Sequence, residues 1–319
     1  MTLTYRDGIS IGEIVVYIPA LFIAIFLAIR HGFGRNSGWY FIILFSLARI
    51  LGGALELATI SNPTSIGLYT GSAILTNVGF SPLELATLGL LSRLLENINK
   101  THKTILSPRV LNLIQLIITV GLILGIVGGV DAGSNYDTTG KFQPTTLNKA
   151  GTALFIASYV LTVIATIIAS FSASHAESGE HRLLFAVAFS LPFLLVRLVY
   201  SVFSTFTHNK DFNLLTGKPT VLLCMALLQE LAVVIVFEAV GLTLKKLPKV
   251  AQGAQIVGSM DSSDASQLQN GAQKPQQKEN VFLKIAKHTI IGKVVMAIVG
   301  SGKNQSRDLE MNGESFIQK

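Results

Sequence analysis

The amino-acid sequence predicts an all-α fold, a polytopic bundle of seven transmembrane helices, and three observations support this prediction. Half of the 319 residues are hydrophobic, only 13% are charged, and the mean hydropathy is +0.55, whereas soluble domains carry about 25% charged residues. Seven apolar runs reach the roughly 20 residues with which an α-helix crosses a bilayer. Arg49 and Arg197 lie near the centres of two of these runs, where a guanidinium costs about 3 kcal/mol unless other helices supply a partner. The runs are therefore expected to pack against one another.

The predicted membrane domain comprises residues 1–247, and its first span begins close to the N-terminus. Because no small-residue cleavage site follows this span, we expect it to remain in the protein rather than to be removed as a signal peptide. The third span follows a turn at residues 61–65, and Gly79 and Pro82 are positioned to break its helix. The seven predicted spans are residues 9–30, 39–60, 71–95, 108–130, 149–171, 183–206 and 221–244.

The distribution of basic residues predicts the orientation of the bundle. Ten lysines and arginines lie in the loops on the side reached by the first span, and five lie on the opposite side. Because cytoplasmic loops are enriched in these residues, the N-terminus is expected outside and the C-terminus in the cytoplasm. The protein is thus predicted to be integral to the plasma membrane or to an endomembrane.

A change of composition after residue 247 predicts three further segments. Residues 248–280 are rich in Gln, Ser, Asp, Gly and Lys and almost lack aromatic residues, which is typical of a disordered linker. Residues 281–300 intersperse lysines with apolar side chains, which predicts a basic amphipathic helix on the anionic cytoplasmic leaflet. Docking of that helix on the bundle is the alternative. Residues 301–319 are expected to form a disordered tail.

Charged residues inside the spans predict interhelical ion pairs. Arg197 and Glu230 lie about equally deep in consecutive antiparallel spans, so they are expected to pair. The same argument pairs Arg49 of the second span with Glu84 of the third. Glu56 and Glu13 are placed nearer the outer end, where Glu13, like Glu238 at the opposite end of the bundle, is expected to be solvated or to snorkel towards water.

These polar residues admit two interpretations. Intramembrane ionisable residues often mark a ligand or ion site, which predicts a polar cavity. The alternative is that the Arg–Glu pairs only lock the helices together, since structural ion pairs resemble sites. The candidate cavity residues are Arg49, Glu56, Asn77, Glu84, Arg197 and Glu230.

Small residues predict where helices approach most closely. Gly121, Gly125 and Gly129 form a doubled GxxxG pattern on the fourth span. Serines and threonines recur every four residues along residues 158–170 of the fifth span. Faces of this kind let helix backbones pack closely in membranes.

A weak internal repeat favours a 3+1+3 arrangement of parallel repeats. The string FSL occurs at residues 45–47 and 189–191, and ELA occurs at residues 84–86 and 230–232. Their nearly constant offset would relate the first three spans to the last three across the fourth. Short matches between apolar segments also arise by chance.

Several activities are disfavoured by the sequence. The six histidines lie in loops, at helix ends or in the tail, and the chain has one cysteine, so no metal cluster within the spans is expected. No phosphate-binding loop or catalytic triad is recognisable, and the protein is predicted not to be an enzyme and to need no cofactor. Basic residues are scattered rather than gathered on one face, which argues against nucleic-acid binding.

Three stretches resemble a known family. They are residues 46–58 (SLARILGGALELA), residues 81–94 (SPLELATLGLLSRL) and the glycine-rich end of the fourth span. They resemble fungal seven-helix integral membrane proteins of unknown function, over about residues 8–245. The layout is more distantly similar to that of fungal lipid-translocating exporter-like proteins and fungal seven-helix receptors. The resemblance implies a membrane location and no particular activity.

Three hypotheses about function follow. The first is a transporter-like or binding module whose polar cavity takes a small amphipathic solute or lipid. The second is a G-protein-coupled-receptor-like sensor, although the usual Asp/Glu-Arg-Tyr and Asn-Pro-x-x-Tyr motifs are missing from the third and seventh spans. The third is a structural membrane protein that binds no small ligand. In each case the lipid bilayer is the expected partner.

Overall fold

The fold was obtained as a computed structural model, which describes residues 4–31, 38–101, 106–139, 143–172, 181–207, 210–213 and 217–244. All regular elements in these ranges are helical, and seven helical segments are long and apolar enough to cross a membrane. The predicted all-α class and the seven spans are therefore confirmed. Segments 248–280, 281–300 and 301–319 lie outside the described residues. Their predicted structure, the orientation of the bundle and the internal repeat stay predictions.

Nine α-helices, a 3₁₀ turn and a π-helical turn make up the seven spans and their connections within the described ranges. Two of the spans contain more than one element: α3 and α4 together form the third, and α8, the π-helical turn and α9 form the seventh. The elements are α1 (Tyr5–His31), α2 (Trp39–Ser61), α3 (Ile66–Val78), α4 (Phe80–Thr101), α5 (Pro108–Thr139), α6 (Thr146–Phe171), α7 (His181–Phe206), the 3₁₀ turn (Lys210–Phe212), α8 (Pro219–Leu222), the π-helical turn (Leu223–Leu227) and α9 (Leu228–Thr243).

The third span is longer than predicted and is interrupted where expected. It runs through Ile66–Asn99, whereas the sequence predicted residues 71–95. Helix α3 ends at Val78 and α4 begins at Phe80, so the break falls at Gly79. Because the last carbonyls of a helix have no partner within it, this break leaves backbone acceptors in the middle of the bundle.

The third span is also the most enclosed of the seven. In its most apolar stretch of 18 residues, 72% are buried, against 28% in the first span. Large buried side chains such as Phe45, Phe80 and Phe237 form the apolar core around it. Large exposed side chains, among them Phe22 and Phe185, cover the outside of the bundle, which is the surface that lipid would contact.

We call the two ends of the bundle the Tyr5 end and the His31 end, after the limits of α1. At the His31 end, α1 is hydrogen-bonded to the C-terminal end of α9. Arg30 donates hydrogen bonds to Leu242 O (3.0 Å) and Leu244 O (3.2 Å), and His31 Nε2 lies 3.0 Å from Gly241 O. These groups satisfy carbonyls at a helix C-terminus, where basic side chains are favoured.

Helices α5 and α6 make the close approach that the small residues predict. A Cβ atom on Gly121 would lie 2.9 Å from the Phe155 ring, and one on Gly151 would lie 2.9 Å from Gly121 O. Gly129 is close instead to Ile74 of α3. The backbones of α5 and α6 thus approach closely at Gly121 and Gly151, as expected at Gly121 of the GxxxG pattern, whereas a Cβ atom on Gly125 would meet nothing within 4 Å.

Candidate functional site

Glu230 joins two arginines at the centre of the bundle. It lies in the first turn of α9 and is fully buried. Its Oε1 accepts a hydrogen bond from Arg197 Nε at 2.5 Å, and its Oε2 accepts one from Arg49 Nη2. Arg197 Nη1 also donates to Ser201 Oγ at 2.5 Å. The predicted Arg197–Glu230 pair is confirmed, but both arginines share the Glu230 carboxylate, so two separate Arg–Glu pairs are not formed.

The predicted pairing of Arg49 with Glu84 is wrong. Besides Glu230, Arg49 contacts Glu13 of α1, with Nη1 donating to Glu13 Oε1 at 3.3 Å. The Glu13 side chain is only 13% exposed, so its predicted solvation is also wrong. Helix α1 begins at Tyr5 rather than at residue 9, which places Glu13 deeper in the bundle than the sequence indicated.

Glu84 is directed to a different part of the bundle. It is fully buried in α4 and lies beside the Ser158 hydroxyl of α6. Neither of its carboxylate oxygens has a hydrogen-bond partner among the described residues. The break at Gly79 separates Glu84 from Asn77, which belongs to α3.

The end of α3 supplies further acceptors for both guanidinium groups. Thr76 O accepts from Arg197 Nη2 at 2.9 Å and from Arg49 Nη2 at 3.5 Å, and Asn77 O accepts from Arg197 Nη2 at 3.4 Å. These carbonyls belong to the last turn of α3, where the helix dipole also favours positive charge. Asn77 therefore takes part in the site through its backbone, which the sequence did not indicate. The signal that could have revealed it is Gly79 and Pro82 within an apolar span.

The Arg49 guanidinium packs against Gly79, in space that a larger side chain at this position would fill. A Cβ atom at this position would lie 2.8 Å from Arg49 Nη2. Gly79→Ala is therefore expected to lower stability by about 1–3 kcal/mol, because the guanidinium held by its acidic partners would have to move. The measurement is the thermal midpoint of the purified protein. Gly67→Ala in α3 is the matched control: its Cβ would meet nothing within 4 Å, so no loss is expected.

Arg49, Arg197, Glu13 and Glu230 constitute what we call the charge cluster. Its two positive and two negative groups balance, and they come from α2, α7, α1 and α9. Removing one partner from such a buried set typically costs about 3–5 kcal/mol, because it leaves a charge without compensation. The described residues include no group of three or more His, Cys, Asp or Glu side chains that could hold a metal ion.

Glu56 lies nearer the Tyr5 end and pairs with Arg6. Arg6 Nε and Glu56 Oε1 are 2.7 Å apart, and the Glu56 side chain is only 7% exposed. The pair borders a cavity of about 350 Å³, which Thr59 and Tyr69 also line. This position agrees with the prediction that Glu56 lies towards the end of the bundle.

The six predicted cavity residues are thus divided among four environments. Arg49, Arg197 and Glu230 meet in the charge cluster, Glu56 borders the cavity at the Tyr5 end, and Glu84 is buried beside α6. The Asn77 side chain lines a separate space of only about 20 Å³. Their role in ligand binding stays a prediction.

A larger cavity opens on the side of the bundle between α1 and the seventh span. We call it the lateral groove; its volume is about 370 Å³, and residues within 5–17 and 223–231 line it. Glu13 is its only charged lining residue among those described, and Tyr17 lies beside it one helical turn further. The Tyr17 side chain is buried, and its hydroxyl has no hydrogen-bond partner among the described residues. The hydroxyl is shielded from the groove, so the polar group at the inner end is Glu13, which belongs to the charge cluster.

Sequence reasoning missed the importance of three residues. Glu13 and Glu238 were expected to be solvated, yet Glu238 is only 6% exposed and its Oε1 has no hydrogen-bond partner within the described ranges. Tyr17 was not singled out. The spacing of Glu13 and Tyr17, four residues apart on one helical face, was the available signal.

The seven spans and the buried charge cluster define a multi-pass membrane protein. Residues 3–247 match the family model described as "Domain of unknown function (DUF7702)", and the chain belongs to this family. No curated protein and no solved structure matches the chain. The family carries no assigned activity, so the predicted fungal origin and the wider resemblances stay predictions.

Proposed function

We propose that this protein is a binding module that takes an amphipathic molecule, a lipid or small solute, from the bilayer into the lateral groove. The observation that carries the proposal is the composition of that groove, whose lining is mainly apolar and carries one charged side chain, Glu13. Ligand sites commonly combine apolar walls with a few polar groups that orient the ligand. The proposal is one of binding, and no reaction is assigned.

The surroundings of the groove support entry from the lipid. Val16 and Leu228, which line it on opposite sides, are 40% and 48% exposed. Neighbouring positions on α1, such as Val15, are also exposed and apolar. In a membrane these surfaces would contact acyl chains, so an apolar tail could enter the groove without crossing water.

The link between the groove and the charge cluster supports a transporter-like role. Glu13 lines the groove and also accepts a hydrogen bond from Arg49. Leu223 and Leu227, on the opposite wall, belong to the π-helical turn that precedes Glu230. Such turns are frequent at functional sites. An occupant of the groove would contact Glu13 and the turn that leads to Glu230, so it would be expected to influence both acidic partners of Arg49.

A structural role for the charge cluster is the second candidate. It is favoured by the extensive pairing of Arg197, which donates to Glu230, to Ser201 and to the backbone of α3. In that case the cluster holds the helices together and the groove is filled by bulk lipid. The two candidates differ in whether blocking the groove changes the binding of a specific molecule.

Filling the groove tests the proposal. Gly12→Phe is expected to reduce the labelling of residues 5–17 and 223–231 by a photoactivatable, alkyne-tagged long-chain alcohol by about tenfold. The new side chain would enter the groove, because Gly12 lines it and a Cβ atom there would meet nothing within 4 Å. The measurement is mass spectrometry of labelled peptides from the purified full-length protein.

Val15→Phe is the matched control, since Val15 is on the same helix and 63% exposed but does not line the groove. It should leave the labelling unchanged. Equal labelling of the wild type, Gly12→Phe and Val15→Phe would show that the probe reports general lipid contact, and the structural candidate would then be preferred.

A further inference from the structure

We infer that the ligand of the lateral groove is an amphiphile with a hydrogen-bond-donating head that carries no negative charge, such as a long-chain alcohol or amine. This inference rests on the proposed function and names the chemical class that the site would accept. Its basis is the set of groups at the inner end of the groove and the state of the nearest cations.

The inner end of the groove presents one acceptor that a ligand can reach, the carboxylate of Glu13. Glu13 Oε1 is engaged by Arg49, whereas its second oxygen accepts no hydrogen bond from the described residues. The Tyr17 hydroxyl, one turn away, is itself shielded from the groove. A donor on the head of the ligand, placed against the second oxygen of Glu13, would supply the missing hydrogen bond.

The nearby cations are already engaged and cannot bind an anion. Arg49 donates to Glu13, to Glu230 and to Thr76 O, and Arg197 has Glu230 as its acidic partner. No basic side chain is among the described residues that line the groove. A phosphate, sulfate or carboxylate head would therefore face the Glu13 carboxylate with no basic side chain in the groove to bind it.

The depth of Glu13 strengthens this discrimination. Glu13 follows the start of α1 by eight residues, from 5 to 13, which is about 12 Å along the helix. At that depth little water is present to screen the repulsion between two negative groups. A hydroxyl head brings no charge there, and an ammonium head is stabilised by Glu13.

Competition between heads that share one tail tests the inference. Full-length protein in nanodiscs of a zwitterionic lipid is labelled with the photoactivatable long-chain alcohol, and hexadecanol, hexadecylamine or hexadecyl sulfate is added as competitor. Hexadecanol and hexadecylamine are expected to compete at concentrations about tenfold or more below that of hexadecyl sulfate. The sulfate remains anionic at every practical pH, which keeps the comparison unambiguous.

Two variants test whether Glu13 causes the preference for heads without negative charge. Glu13→Gln is expected to improve competition by hexadecyl sulfate and to weaken competition by hexadecylamine, because the negative charge is removed. Tyr17→Phe is the control: its hydroxyl has no partner among the described residues and is shielded from the groove, so this variant should fold normally and should leave the order of the three competitors unchanged.

The outcomes separate this inference from the proposed function. If all three competitors act equally on the wild type and Gly12→Phe still abolishes labelling, the groove binds amphiphiles but the inference about the head is wrong. If hexadecyl sulfate competes best, the inference is likewise overturned. If labelling is indifferent to Gly12→Phe and to every competitor, the proposed function fails as well.

Discussion

Glu230→Gln is expected to destabilise the protein by about 3–5 kcal/mol, which is among the largest effects of a single substitution. Glutamine preserves the shape of the side chain but removes the negative charge that Arg49 and Arg197 share. The charge cluster would then hold two guanidinium groups and a single carboxylate, that of Glu13. We expect a loss of monodisperse protein after extraction in mild detergent and a thermal midpoint lower by about 10 °C or more.

Glu84→Gln is the matched control for this substitution. It makes the same chemical change at a carboxyl that is equally buried, and no basic partner of Glu84 is present among the described residues. Because no guanidinium is left uncompensated, its effect should stay below about 1 kcal/mol. Equal losses for the two variants would show that burial of a carboxyl, rather than its sharing by two arginines, determines stability at these positions.

The sequence was sufficient to predict the seven spans and one of the central contacts. Spanning length and apolar composition are imposed by the bilayer itself, so they leave a strong pattern. The Arg197–Glu230 pair followed from depth, because consecutive spans run in opposite directions and are joined by a short connection. On two neighbouring helices few charged residues lie at the same depth, so few ion-pair partners are possible.

The partner of Arg49 could not be predicted in the same way. Depth fixes the level of a residue in the membrane but not the direction in which its side chain points. Glu84 is directed towards α6, where it lies beside Ser158. Glu230, from the other end of the chain, occupies the place beside Arg49 instead. Only the three-dimensional packing of α1, α2 and α9 determines this.

The lateral groove was equally inaccessible from the sequence. Its walls come from α1 and from the π-helical turn of the seventh span, and a π-helical turn leaves no recognisable signal in an apolar run. Glu13 was also predicted too near the surface, since the first span was predicted to begin at residue 9 rather than at Tyr5. A shift of one helical turn was enough to hide a residue that lines the groove and belongs to the charge cluster.

Exchanging the charges of Arg197 and Glu230 is expected not to restore the protein, although the two residues form a direct pair. In Arg197→Glu/Glu230→Arg, the new arginine would be placed beside Arg49, which Glu230 now neutralises. Two guanidinium groups would then be in contact within the membrane, and the new glutamate at position 197 would face the Thr76 and Asn77 carbonyls that now accept from Arg197. Repulsion on both sides should leave the double variant at least as unstable as Glu230→Gln.

The pair of Arg6 and Glu56 provides the contrast. It lies nearer the end of the bundle, the Arg6 side chain is 22% exposed, and the pair borders a cavity. Arg6→Glu/Glu56→Arg should therefore recover most of the stability that either single change removes, in the same thermal measurement. Recovery by both exchanges would mean that Arg197 and Glu230 act as an independent pair, and the charge cluster as described here would be incorrect. If the Glu230 carboxylate is shared by Arg49 and Arg197, only the Arg6–Glu56 exchange should recover stability.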